Sequence, residues 1–288
     1  MFPEDLAYYE YFDSLGMSIT GYPWAGDVFH DYSNRRDGDT DPMAGSPLFG
    51  HSPDFGYWYY GSIWYGDELW NGGRMDDLNG DGEEDRLDAL WWNDNENRGP
   101  GTLFQDWTPA THPELGQVEV GGFHPKFFSQ NAPPYLLEKW AKNEALFNLA
   151  LAMHMPELQI DGVTVAAGEA PEGDTSDAPG EVYDVTVSFT NVGKLPSALR
   201  QAQLVKIVRE DTVELEFDEM ANGDEPAVEI IDPRFNDKSI YAAWIQPDEN
   251  KEVTFKVRVA PEQEGPVNGT AHLLSTRGGH IKARFTIR

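Results

Sequence analysis

Two stretches of different texture meet near Pro156, and the second is predicted to be an all-β, immunoglobulin-like sandwich. Three observations predict it. Residues 1–155 hold eight of the nine tryptophans and are rich in Gly, Asn, Asp and aromatic side chains. One helical pattern closes this part, from about Pro134 to Met153. Beyond Leu158 the pattern changes to strict alternation, as in YDVTVSFTNVG and KEVTFKVRV. Alternation at period two buries one face of an antiparallel strand and wets the other.

The helix follows from spacing. Pro133 and Pro134 suit a first turn, where the missing N–H costs nothing. Leu137, Trp140, Ala141, Leu149 and Met153 recur near 3.6 residues, and Pro156 stops the run. In the second part, candidate strands are 158–166, 182–191, 205–209, 212–217, 227–231, 239–245, 251–259, 271–275 and 281–287. This many short strands separated by turn residues is the pattern of a sandwich. Residues 167–181, AGEAPEGDTSDAPGE, read as an acidic loop. The predicted division is therefore 1–156 and 157–288.

Composition narrows the function classes. Fifty acidic residues against 21 basic ones give a formal charge of −29. Nucleic acid is excluded as a partner, because phosphates are neutralised by Lys and Arg. An acidic surface suits bound calcium or a salty habitat. With no cysteine there is no disulfide, thiol nucleophile or thiolate ligand. No apolar run reaches the ~18–20 residues of a membrane span. Residues 1–30 lack the basic and apolar regions of a signal peptide. The expectation is a secreted or periplasmic protein whose signal peptide lies upstream of this sequence.

Residues 77–88, DLNGDGEEDRLD, place oxygen-bearing side chains at positions 1, 3, 5, 9 and 12 around a glycine at 6. This is the spacing of a twelve-residue calcium loop, in which glycine permits the sharp turn. Asp77, Asn79, Asp81 and Asp88 are expected to ligate through side chains, Glu83 through its carbonyl, and Asp85 directly or through water. Aspartate at position 12 resembles the dockerin type.

The segment Ser52–Trp70, SPDFGYWYYGSIWYGDELW, resembles the late active-site region of the zinc carboxypeptidases related to carboxypeptidase A. Asp54, Phe55 and Tyr57 stand for that family's Asp-Trp-x-Tyr, and Glu68-Leu69 for the Glu-Leu that ends an active-site strand. His112–Pro134 is similar to the closing segment of large bacterial members. The resemblance implies an α/β/α catalytic-domain fragment over residues 1–156, with the calcium loop as an insertion and the sandwich appended. It implies Glu68 as general base and acid, hydrolysis of C-terminal peptide bonds, and peptide or protein C-termini as substrates. Glu119, which follows Gln105-Asp106-Trp107, is the second choice for the base. Tyr32 is the nearest counterpart of the family's mobile substrate-binding tyrosine. The Zn²⁺ ligands, His-x-x-Glu and a distant His, are implied to lie upstream. His154–Glu157 matches the first pattern in letters but lies on the wrong side of Glu68, and His51 fits no better. The chain alone is accordingly expected to be inactive.

Two other readings stand beside this one. One is a non-catalytic, calcium-stabilised extracellular binding protein on a degenerate peptidase scaffold, with cell-surface or glycan contact through the sandwich. The other is a glycoside hydrolase with Glu68 and Glu119 as its acid pair. Asn268-Gly-Thr has the letters of a glycosylation sequon.

Overall fold

A computed structural model of the chain describes residues 1–22, 50, 52–67, 69–70, 76–95, 104–124, 126, 131, 134–172, 174, 179–218, 228–233, 239–261 and 263–287. In chain order the elements are helix α1 (Pro3–Thr20), a short turn α2 (Ser52–Asp54) running into a π-helical turn Phe55–Tyr59, and helix α3 (Arg86–Asn95). The hairpin strands β1 (Phe104–His112) and β2 (Gly116–Phe123) precede helix α4 (Pro134–Ala152). Among the described residues eight strands follow: β3 (Leu158–Ala167), β4 (Glu181–Asn191), β5 (Asp211–Phe217), β6 (Val228–Asp232), β7 (Ser239–Ala243), β8 (Asn250–Val259), β9 (Val267–Ser275) and β10 (Gly279–Ile287).

These residues form two compact units. The first takes Met1–Tyr11, Gly26–Trp64 and Leu151–Arg288, and the second takes Phe12–Ala25 and Tyr65–Ala150. In the first unit, two four-stranded sheets have the orders β3-β4-β8-β6 and β10-β9-β5-β7. Every pairing in both is antiparallel. The alternation explains the layers. Val185, Val187 and Phe189 on β4 and Phe255 and Val257 on β8 are wholly buried. They pack with Val213, Leu215, Ala271, Leu273, Phe285 and Ile287 of the other sheet. Between them, Thr186 and Thr254 meet across the strands by a 2.8 Å hydrogen bond on the outer face.

The expected strand at 205–209 is instead a pair of turns. Val205 and Val208, three residues apart, both point into a small cluster with Ala198, Leu199, Ala202 and Trp244. That is the spacing of a turn, whose period is near three. β7 stops at Ala243, where φ reaches +54°.

The α/β/α expectation for residues 1–156 is overturned. The sheet among the described residues there is the antiparallel hairpin β1-β2. No parallel pairing occurs among the described residues. The aromatic run expected to form an active-site strand coils instead through the π-helical turn, and residues 61–67 follow without strand pairing. Glycines break it. Gly61 sits at φ +60°, and a Cβ there would lie 2.3 Å from Ala202 Cα. Gly56 is pressed equally closely by Trp64. A run of adjacent aromatic residues also lacks the period of two that a half-buried strand requires. The second unit is centred on Trp70, Trp92, Leu136 and Trp140, with Tyr22, Leu78 and Phe123 against them.

Candidate functional site

The loop 77–88 is folded by its own side chains. Asp77 accepts hydrogen bonds from the N–H groups of Gly80 at 2.7 Å and Gly82 at 3.1 Å. Asn79 Oδ1 accepts from Asp81 N at 2.8 Å, and Asp81 Oδ1 from Glu83 N at 2.9 Å. The Asn79 and Asp81 bonds are successive Asx-turns, in which a short polar side chain mimics the backbone. Gly80 and Gly82 stand at φ +78° and +88°, in the left-handed region that favours glycine.

The loop then runs into α3 through a capping box. Asp85 precedes the helix, and its Oδ1 accepts from Leu87 N at 2.6 Å. Asp88, three residues on, returns Oδ2 to Asp85 N at 2.8 Å. Each carboxylate thereby satisfies an N–H group that the first turn leaves open. Asp88 Oδ1 reaches further, to Leu78 N at 2.7 Å and Asn79 N at 3.0 Å. Its side chain is wholly buried. Burial alone would raise its pKa, but N–H groups of Asp85, Asn79, Leu78 and its own residue outweigh this and hold it below the usual carboxylate value.

The side-chain atoms are of the type that a hard, oxygen-seeking cation takes. All the side-chain ligand atoms are oxygens, the glycine turn is formed, and a helix starts where positions 9 and 12 fall. An oxygen that accepts one N–H keeps a second lone pair. Asp88 Oδ1 is the exception, since it already accepts two. Among the described residues, no group of three or more His, Asp or Glu side chains stands arranged to hold a metal.

The other expected site residues fare differently. Glu68 and Tyr32 lie outside the described residues, as does His51. Glu119 lies on β2 opposite Pro109, exposed on a two-stranded hairpin. His154 Nε2 meets Tyr11 Oη at 3.0 Å.

Two polar arrangements escaped sequence reasoning. Asp5, on the first turn of α1, is buried and accepts from Tyr57 Oη at 2.9 Å, Arg200 N at 2.7 Å and Gln201 N at 2.9 Å. Burial and this carboxylate together raise the Tyr57 pKa, so its hydroxyl remains a donor. Glu144 on α4 is 5% exposed. Burial first, and the charge of Asp67 second, raise its pKa from 4.5 to about 7. Between these values the folded state holds a proton that the unfolded state has released. Stability is therefore full below about pH 4.5 and falls as pH rises through about 7, by roughly 3 kcal/mol. Urea denaturation should show this loss between pH 5 and pH 8 in the wild type, and a flatter profile in Glu144→Gln. Equal slopes in the two proteins would remove Glu144 as its cause.

Comparison with known proteins finds matches in the C-terminal part of the chain. A family model described as a domain of unknown function, DUF8731, matches residues 172–286. No curated protein matches the chain. Among solved structures, native α2-macroglobulin from Escherichia coli, spanning domain MG7 to the C-terminus, is similar at 14% identity and TM-score 0.27. The match covers 47% of this chain and 16% of that one. The CARDB domain of a Pyrococcus furiosus protein is similar at 15% identity and TM-score 0.25, over 46% of this chain and 96% of its own. The archaellum stator protein FlaG of Sulfolobus acidocaldarius is similar at 12% identity and TM-score 0.22, over 46% of this chain and all of that one. The family match lies in the sandwich and the described sheet of residues 1–156 is an antiparallel hairpin, so the zinc carboxypeptidase resemblance is withdrawn. The zinc centre, the general-base Glu68 and the peptide substrates were implied by that resemblance alone. No described helix is long and apolar enough to cross a membrane.

Proposed function

We propose that this chain is a non-catalytic, extracellular binding module stabilised by Ca²⁺ in the loop 77–88. The observation that carries the reading is the loop's construction. Its oxygens follow calcium-loop spacing, Gly82 makes the turn, and Asp85 and Asp88 open a helix at positions 9 and 12. Asp77, Asn79 and Asp81 hold the cation through side chains, Glu83 through its carbonyl, and Asp85 directly or through water. Asp88 joins through Oδ2, which accepts a single N–H group. The ion neutralises part of a crowded acidic segment and stabilises the folded state by mass action. The sandwich is the surface that meets a partner, a glycan or a cell surface. Its outer face carries Asp161, Thr190 and Asn250, joined by hydrogen bonds of 2.5–3.0 Å. Carboxylate, hydroxyl and amide groups together suit the hydroxyls of a sugar.

Calorimetric titration of chelator-treated protein with CaCl₂ tests the first half. One site is expected, with a Kd no weaker than the ~10⁻⁴–10⁻³ M of extracellular modules. The melting temperature should rise with Ca²⁺, and the double variant Asp77→Ala, Asp81→Ala should lose both effects. No heat and no shift at millimolar Ca²⁺ would overturn it. The same protein on an immobilised glycan panel tests the second half, which fails if nothing binds.

A further inference from the structure

We infer that His272 and His280 form a binding site for a divalent transition-metal ion of the Cu²⁺ or Ni²⁺ kind, on the outer face of the sheet β10-β9-β5-β7. It is separate from the loop 77–88 and does not depend on it. His272 lies on β9 and His280 on β10, joined by the turn at Thr276–Gly278. The antiparallel register pairs His280 with Leu274 and His272 with Lys282, so the two imidazoles are diagonal neighbours on one face. His272 Nδ1 and His280 Nε2 are 2.8 Å apart, and the rings stack with centroids 5.1 Å apart at 30°.

The third residue fixes the chemistry. Glu216 on β5 reaches His272 Nε2 at 3.0 Å. A carboxylate only accepts, so the hydrogen sits on Nε2, and the Nδ1 of the neutral ring is bare. This is the carboxylate–histidine arrangement that orients a metal-bound imidazole and raises its basicity. The His272 side chain is 12% exposed, held in place by its neighbours, while that of Glu216 is 72% exposed. Glu214 also lies opposite His272 in the β5–β9 register.

Without metal, His280 donates its Nε2 hydrogen to His272 Nδ1. With metal, His280 takes its other tautomer, the hydrogen moving to Nδ1, and both facing nitrogens present lone pairs. Two ligands at ~2.0 Å in neighbouring positions of a square or octahedral ion lie ~2.8 Å apart. The observed separation equals this distance, and the two rings turn so that their lone pairs converge on the ion. A tetrahedral angle would need the nitrogens ~3.3 Å apart, so Zn²⁺ binds more weakly than Cu²⁺, as the order of ligand affinities also requires. Water fills the remaining positions.

The test is calorimetric titration of the full chain with CuCl₂ and NiCl₂ in excess Ca²⁺, which competes for carboxylates but not for imidazoles. It is paired with electron paramagnetic resonance of the Cu²⁺ form. One ion should bind, coupled to two imidazole nitrogens. His280→Ala, an exposed change, should weaken binding at least tenfold and leave one coupled nitrogen. Glu216→Gln should weaken it about tenfold and keep both. Metal-free melting curves confirm that the variants fold. If His280→Ala binds Cu²⁺ as tightly as the wild type, or the nitrogen count is unchanged, the inference is overturned.

Discussion

Replacing Asn191 by leucine should lower the stability of the sandwich by about 3–5 kcal/mol. Asn191 ends β4 and is wholly buried, and its side chain forms four hydrogen bonds. Its Oδ1 accepts from Glu157 N at 3.2 Å and Gly193 N at 3.0 Å. Its Nδ2 donates to Leu195 O at 2.8 Å and Ile245 O at 3.1 Å. Leucine has nearly the same shape and none of these groups. Each backbone group left buried without a partner costs about 1–3 kcal/mol, and partial relaxation recovers some of the sum. Asn191→Asp is the sharper control. It keeps the accepting Oδ1 but sets a carboxylate oxygen against the carbonyls of Leu195 and Ile245, so it should destabilise at least as much at neutral pH. Urea denaturation followed by far-ultraviolet circular dichroism reads both. A loss below 1 kcal/mol in each would mean that the region rearranges around other partners.

Much of the sandwich was legible because alternation is a property of the strand itself. Val185-Thr186-Val187-Ser188-Phe189 announces which face is buried before any partner is known. The Asx-rich loop was legible for a similar reason, since its turns are made by side chains acting on amides two to five residues away. The capping box at Asp85 and Asp88 also lay within reach of sequence reasoning, as an acidic pair three residues apart ahead of a helix. The misreading arose in residues 52–70. There, adjacent aromatic residues resemble a carboxypeptidase strand, although Gly56 and Gly61 interrupt them and their fold depends on distant partners such as Ala202. Asp5 was invisible for the same cause, since Arg200 and Gln201 lie 195 and 196 residues away. The His272–His280 pair sits between these extremes. A tight turn at Thr276–Gly278 implies that residues a few steps on either side face each other, but only the register says which.

Asp88→Ala should cost the second unit about 2–4 kcal/mol and abolish Ca²⁺ binding together. One carboxylate serves both ends of the loop. Oδ1 holds Leu78 and Asn79 at the entry, and Oδ2 holds Asp85 at the start of α3. Alanine leaves three N–H groups to find water where Asp88 had excluded it, and removes half of the capping box, itself worth about 1 kcal/mol. Leu78 packs against Trp70, Trp92, Leu136 and Trp140, so loosening the entry should also disturb the tryptophan environment. Asp88→Asn should fall between the two, because one oxygen can serve one end but not both. The pKa of Asp88 is lowered by folding, so its contribution is present above the unfolded value of about 3.8 and is lost as pH falls below it. Wild type and Asp88→Ala should therefore differ at pH 7 and converge in acid. Tryptophan fluorescence during urea denaturation at the two pH values is the measurement. A difference that persists unchanged into acid would show that packing around residue 88, and not its charge, holds the loop.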